Sequence, residues 1–134
     1  RATQQVNTGD LIIGTTRPYL KRFAIVEKQF DGNICSSGFS VIEPNSNYNL
    51  NYLKEFLMSF YGIEQLKNRM TGGTYPAITS KELKEILIPF PNPTIQNKIG
   101  THIANLKQQI QDLKNQAEQN QIKAIKEFEQ EIFS

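Results

Sequence analysis

Residues 72–103, GGTYPAITSKELKEILIPFPNPTIQNKIGTHI, decide how this chain is organised. A glycine pair opens a loop, and a proline-punctuated segment follows. Beyond Pro93 the pattern turns helical and stays so to the end of the sequence. Thr79 or Ser80 suits the N-cap of a short helical turn, with Glu82 and Glu85 placed early, where the helix dipole favours acids. Ile86–Pro89 predicts a short edge strand, because Pro89 and Pro91 cannot donate ladder hydrogen bonds. Pro91, Asn92 and Pro93 end that strand, and Thr94 is the expected cap of the helix.

Downstream, Ile99, Ile103, Leu106, Ile110, Leu113 and Ala117 alternate steps of four and three, the a/d seam of a coiled coil. Asn120 breaks the seam, which resumes out of phase through Ala124, Phe128 and Ile132 as a stutter would. No proline follows residue 93, and Gly100 is the last glycine. Such a helix is roughly 55 Å long at 1.5 Å per residue. Its seam is too apolar to stay wet, so it calls for a partner helix.

Upstream the period shortens. GDLIIG at 9–14, FAIVE at 23–27 and SGFSVIEP at 37–44 each read as a short strand bounded by turn residues. The polar run 45–51 is a loop ending in a helix cap. One helix is expected to follow to about Asn68, with Leu53, Phe56, Leu57, Phe60 and Tyr61 on its inner face. The fold class is therefore α+β: short mixed strands and helices over 1–93, then one long coiled-coil-type helix over 94–134.

The totals narrow the function. At 134 residues and 38% hydrophobic content, the core must come from the first ninety-five residues, a small domain. The net charge of +2 does not by itself mark a nucleic-acid binder. Its distribution is more telling. Residues 1–95 carry ten Lys/Arg and eight Asp/Glu, and residues 96–134 carry five of each. Arg17, Lys21 and Arg22 form one cluster without an intervening acid. Lys67, Arg69 and Lys81 lie in a second acid-free span, 65–81. The absence of a membrane-length apolar run argues against a membrane role, and the single Cys35 fits a reducing, cytoplasmic setting. A polar start at Arg1 without an initiator Met is expected of a piece of a longer protein.

Catalysis finds no support. Cys35 lacks a charged neighbour that would activate it and is expected to be a quiet buried thiol. The lone His102 is expected to pack where the helix leaves the domain. No metal-ligand spacing or phosphate loop appears, so neither metal nor cofactor is expected. Recognition remains. Arg and Lys neutralise phosphates, Arg reads guanine edges, and Thr and Tyr add hydrogen bonds. Arg17, Tyr19, Lys21, Arg69, Thr74, Tyr75 and Lys81 are the candidate DNA contacts. Arg69 and Tyr75 are singled out because they flank Gly72-Gly73, where backbone can approach a duplex or take a positive φ. A plain tight turn with solvated cations is the alternative, and Tyr19 and Tyr75 also suit a core edge.

The ordered set GDLIIG, RPYLKRFAIVE, SGFSVIEP, YLKEFLMSFYG, GGTYPAI and IPFPNPTIQNKIGTHIANLKQQIQDL resembles the DNA-specificity subunit of type I restriction–modification systems. The likeness is to the C-terminal part of one target-recognition domain with its conserved spacer helix. The signature falls on Gly72–Ile78, Leu83, Ile86, Ile88–Pro91, Pro93, Gln96 and Ile99, with Ile95 where the family usually has Glu. The resemblance implies a non-catalytic reader of one half of a split, asymmetric double-stranded DNA target. It also implies a helix that pairs with one from a second recognition domain or a second copy, setting half-site spacing. Methyltransferase subunits and an endonuclease–translocase subunit would be its partners. A coiled-coil adaptor without DNA specificity is the competing reading.

Overall fold

A computed structural model describes residues 4–133. Two antiparallel sheets open the fold. β1 (Gln4–Gln5) pairs with β4 (Ile34–Cys35), and β2 (Leu11–Gly14) lies between β3 (Phe23–Ile25) and β5 (Phe39–Ile42). In the three-stranded sheet Ile13 stands opposite Phe23 and Ser40, and Leu11 opposite Ile25 and Ile42. Alternation along β2 buries Leu11 and Ile13 completely and leaves Ile12 half-buried on the other face, the period-two pattern of a one-sided sheet.

Helices α1 (Leu50–Met58) and α2 (Phe60–Asn68) supply Leu50, Leu53, Leu57, Ile63 and Leu66 to the same core. Ile78 and Ile86 complete it. The single helix expected over this stretch is in fact two. Ser59 sits in extended backbone (φ −72°, ψ 167°), and its hydroxyl accepts from the Gly62 amide to cap α2. Gly62 is required there: a Cβ would fall 2.3 Å from the Phe56 carbonyl oxygen. The break turns the helix away from its earlier phase. Phe60 and Tyr61, expected in the core, are 72% and 71% exposed, stacked edge-to-face with centroids 5.6 Å apart.

Helix α3 (Ser80–Lys84) is capped by the Thr79 hydroxyl, as its composition suggested. The edge strand expected at Ile86–Pro89 does not form. That segment runs extended without a ladder partner, held by side chains instead. Gln65 bonds both the amide and the carbonyl of Leu87, and the Tyr52 hydroxyl donates to the Pro89 carbonyl.

Helix α4 (Pro93–Phe133) is capped by Asn92, whose Oδ1 accepts from the Ile95 amide at 3.0 Å, and not by Thr94. Proline at the first helical position leaves the cap to the residue before it. The chain divides into two compact units, residues 1–100 and residues 101–134, so the first two turns of α4 belong to the first unit. There Gln96 is 1% exposed. Its Oε1 accepts from the Asn49 amide (3.0 Å) and its Nε2 donates to the Pro91 carbonyl (2.7 Å). Asn49 in turn donates from Nδ2 to Asn97 and caps α1 through Oδ1. Gly100 leaves room for that asparagine, since a Cβ would lie 2.5 Å from Asn49 Oδ1. Removing Gln96 would leave the part-buried Asn49 amide without its acceptor, at about 1 kcal/mol.

In the second unit, α4 presents its seam to solvent. Leu106, Ile110, Leu113, Phe128 and Ile132 are exposed, and Ile103 is half-buried. Ile122, Ile125 and Phe133 are exposed too, and none of them lies on the seam read from the sequence. His102 is solvated rather than packed, and Cys35 is half-buried at a strand end rather than buried.

Candidate nucleic-acid interface

The glycine loop is closed at its base and tied to the first cationic turn. Thr71 and Ala77 exchange both backbone hydrogen bonds at 2.9 Å, and Ala77 also bridges Thr16. The Ile78 amide donates to the Thr15 carbonyl (3.0 Å), and the Arg17 amide to the Pro76 carbonyl (2.8 Å). Only the first glycine is needed for its conformation: Gly72 has φ +107°, whereas Gly73 has open space about it and no positive φ.

Opposite the loop, Pro18–Leu20 forms a 3-10 turn packed on α2, with Pro18 fully buried. The residues bracketing it, Arg17 (φ 49°, ψ 62°) and Lys21 (φ 56°, ψ 39°), are both left-handed. For side chains with a Cβ this costs on the order of 1 kcal/mol each. Among the described residues they are the only non-glycine residues with positive φ.

Arg17, Thr74 and Tyr75 meet. The Arg17 guanidinium lies 4.7 Å from the centroid of the Tyr75 ring, and its Nη2 donates to the Thr74 carbonyl at 3.2 Å. The ring itself is 70% exposed. Tyr19 and Lys21 share the turn with Arg17 and reach the surface. Arg22, left out of the candidate contacts, is exposed and bonded along its own turn. It donates to the Thr16 carbonyl and lies 5.9 Å over the Phe39 ring. Among the described residues no carboxylate pairs with Arg17, Lys21 or Arg22.

The second cluster is built differently. Arg69 Nη1 contacts Glu82 Oε2 at 3.1 Å and Glu85 Oε2 at 2.9 Å, with the Arg69 side chain about a third exposed. Lys67 lies 3.7 Å from Glu64. The span 65–81 holds no acid, but the acids just outside it fold back onto its cations. Arg69 thus ties the end of α2 to α3 across the base of the loop. Lys81 is exposed on α3. The signal for this lay in Glu82 and Glu85, which sequence reading assigned to the helix dipole alone.

No group of three or more His, Cys, Asp or Glu that could hold a metal occurs among the described residues. What the surface offers is cationic and aromatic recognition. A class of α+β recognition proteins with an appended long helix fits both halves of the chain.

A family model described as "Type I restriction modification DNA specificity domain" matches residues 2–124. The chain belongs to that family. It is 30% identical over 114 residues to the type I restriction enzyme HindI specificity subunit of Haemophilus influenzae, covering 83% of this chain and 25% of that protein. It is 31% identical over 107 residues to the MjaIX specificity subunit of Methanocaldococcus jannaschii, covering 80% and 24% respectively. The chain therefore spans about a quarter of the length of these curated relatives. Among solved structures it superposes on the HsdS subunit from Thermoanaerobacter tengcongensis with a TM-score of 0.67 and 35% identity, over 81% of this chain and 28% of the other. A structure described for complex assembly and conformational transition of the type I R-M system gives 0.70 and 33%, over 84% and 29%. The α+β architecture with its long C-terminal helix agrees with these neighbours.

Proposed function

We propose that this chain is the DNA-reading part of a type I specificity subunit: the C-terminal portion of one target-recognition domain over residues 1–93, followed by a spacer helix over 94–134. The observation that carries the reading is the family membership, joined to a surface loop where Arg17, with no acidic partner among the described residues, lies over the exposed Tyr75 ring. Arg17, Tyr19, Lys21, Thr74, Tyr75 and Lys81 face one half of a split double-stranded target. Arg69 supports the loop from beneath through its carboxylate partners.

The long helix pairs through Ile99, Ile103, Leu106, Ile110, Leu113, Ala117, Ala124, Phe128 and Ile132. Its partner is a helix of a second recognition domain or of a second copy, and the pairing sets half-site spacing. Methyltransferase subunits dock on that paired region, and the endonuclease–translocase subunit joins them. The work is cytoplasmic, where the DNA is. No helix among the described residues is long and apolar enough to cross a membrane.

Binding of the full-length subunit to its split target is expected to fall steeply with salt and to exceed binding to random duplex. Equal affinity for the two would sink the reading. A protein-interaction adaptor is less favoured, because it leaves the unpaired cationic loop without a task. Deleting residues 104–134 separates the two: a DNA reader loses assembly and keeps some DNA affinity, whereas an adaptor has no salt-sensitive DNA affinity to keep.

A further inference from the structure

Arg17 is held more firmly than charge neutralisation requires. A phosphate accepts a cation from almost any direction, so a contact made for charge alone does not need a fixed side-chain plane. Arg17 has one. Its amide is bonded to the Pro76 carbonyl, its Nη2 to the Thr74 carbonyl, and its guanidinium is laid over the Tyr75 ring. The residue reaches this position through a left-handed backbone that favours glycine. Sparsely populated conformations of this kind persist where surrounding structure holds them, and they gather at binding sites. Lys21, on the far side of the same turn, differs. It is exposed, and among the described residues its ammonium has no partner.

We propose that Arg17, set on Tyr75 and tied to the Thr74 carbonyl, is a preorganised reader of one guanine edge, and that Lys21 is the neighbouring phosphate contact. The proposal rests on the DNA-reading function above and names the residue that would carry specificity within it. One Nη hydrogen is taken by the Thr74 carbonyl, which leaves the other donors of the fork for a ligand. Guanine presents O6 and N7 side by side in the major groove, the acceptor pair a guanidinium fork fits. A fork whose plane is set before binding loses less freedom on contact, so it discriminates by geometry. A lysine at the same place keeps the charge and loses the fork. For this base Tyr75 acts as a positioning residue, because the Arg17 guanidinium rests on its ring.

The test is a selection from a randomised duplex pool with the specificity subunit at full length, read as base preference at each position. The variants are Arg17→Lys, Tyr75→Leu and Lys21→Ala. Arg17→Lys is expected to lose about tenfold of the preference at one G·C pair and to keep the others. Tyr75→Leu, a change at an exposed ring, is expected to weaken the same position and no other. Lys21→Ala is expected to weaken binding evenly across all sequences and to lower the salt slope by about one. Unchanged melting temperatures exclude misfolding as the cause. Retention of every preference by Arg17→Lys overturns the inference while leaving DNA reading intact. Uniform loss at all positions also overturns it, because Arg17 would then be a charge contact. A wild-type subunit that enriches no sequence at all overturns the DNA-reading function itself, and this inference with it.

Discussion

The two basic clusters of this chain look alike as text and differ as structure. Residues 16–22 and 67–81 each combine cations with a tyrosine. In the first, Arg17 and Lys21 stand on a strained turn with no acidic partner among the described residues, and Arg17 is stacked on a ring that belongs to the second stretch. In the second, Lys67 and Arg69 are met by Glu64, Glu82 and Glu85. Local sequence charge therefore says little about surface charge. How much positive charge a cation adds to the surface depends on whether the fold brings a carboxylate to it, and that depends on which helix end packs beside it.

The largest expected effect removes the platform that both clusters share. Leu66 is fully buried in α2, which carries the Pro18–Leu20 turn on one side and leads into Arg69 at its end. Leu66→Ala is expected to cost about 2–5 kcal/mol in denaturant unfolding and to degrade both clusters together. A loss well below 1 kcal/mol would mean that α2 is not the shared support.

A sharper test releases the second cluster. Glu82→Gln with Glu85→Gln frees Arg69, and affinity for random duplex is expected to rise about fivefold at physiological salt, with a salt slope steeper by about one. Stability is expected to fall by about 1 kcal/mol, the scale of a partly exposed bridging pair. If random-duplex affinity stays flat, compensation by acids is not what separates the clusters. The smallest effect concerns strain. Lys21→Gly relieves a left-handed residue, and a stability gain of about 0.5 kcal/mol is expected in thermal unfolding, alongside weaker DNA binding. Loss on both counts would show that the turn carries no strain.

Much of this arrangement was legible in the sequence for reasons that can be named. The β-branched residues of LIIG, FAIV and FSVI, bounded by turn residues, specify strands whichever way the rest folds. The absence of proline after residue 93 leaves α4 uninterrupted. What escaped were features set by packing between distant segments. The helix break at Ser59 depends on Gly62 meeting α1, and periodicity alone ran through it, placing Phe60 and Tyr61 inward. The segment at 86–89 has strand composition but pairs with no strand, and Gln65 and Tyr52 take its polar groups instead. At the interface, the cationic turn and the glycine loop were found separately. Their union through Arg17 was not foreseen, because neither Arg17 nor Lys21 is a residue type that announces a left-handed turn. Gln96 was noted only as part of a signature, and its physical role at the root of α4 became clear from its bonds to Asn49 and Pro91.

The difference between the clusters is tested most directly by one paired measurement: affinity of the full-length subunit for its target duplex with Arg17→Ala and with Arg69→Ala, well below either melting temperature. Arg17→Ala is expected to weaken target binding about tenfold or more, and Arg69→Ala to change it by less than about threefold while lowering stability. An Arg69→Ala loss as large as that of Arg17→Ala, or an Arg17→Ala variant that binds like the wild type, would contradict the account.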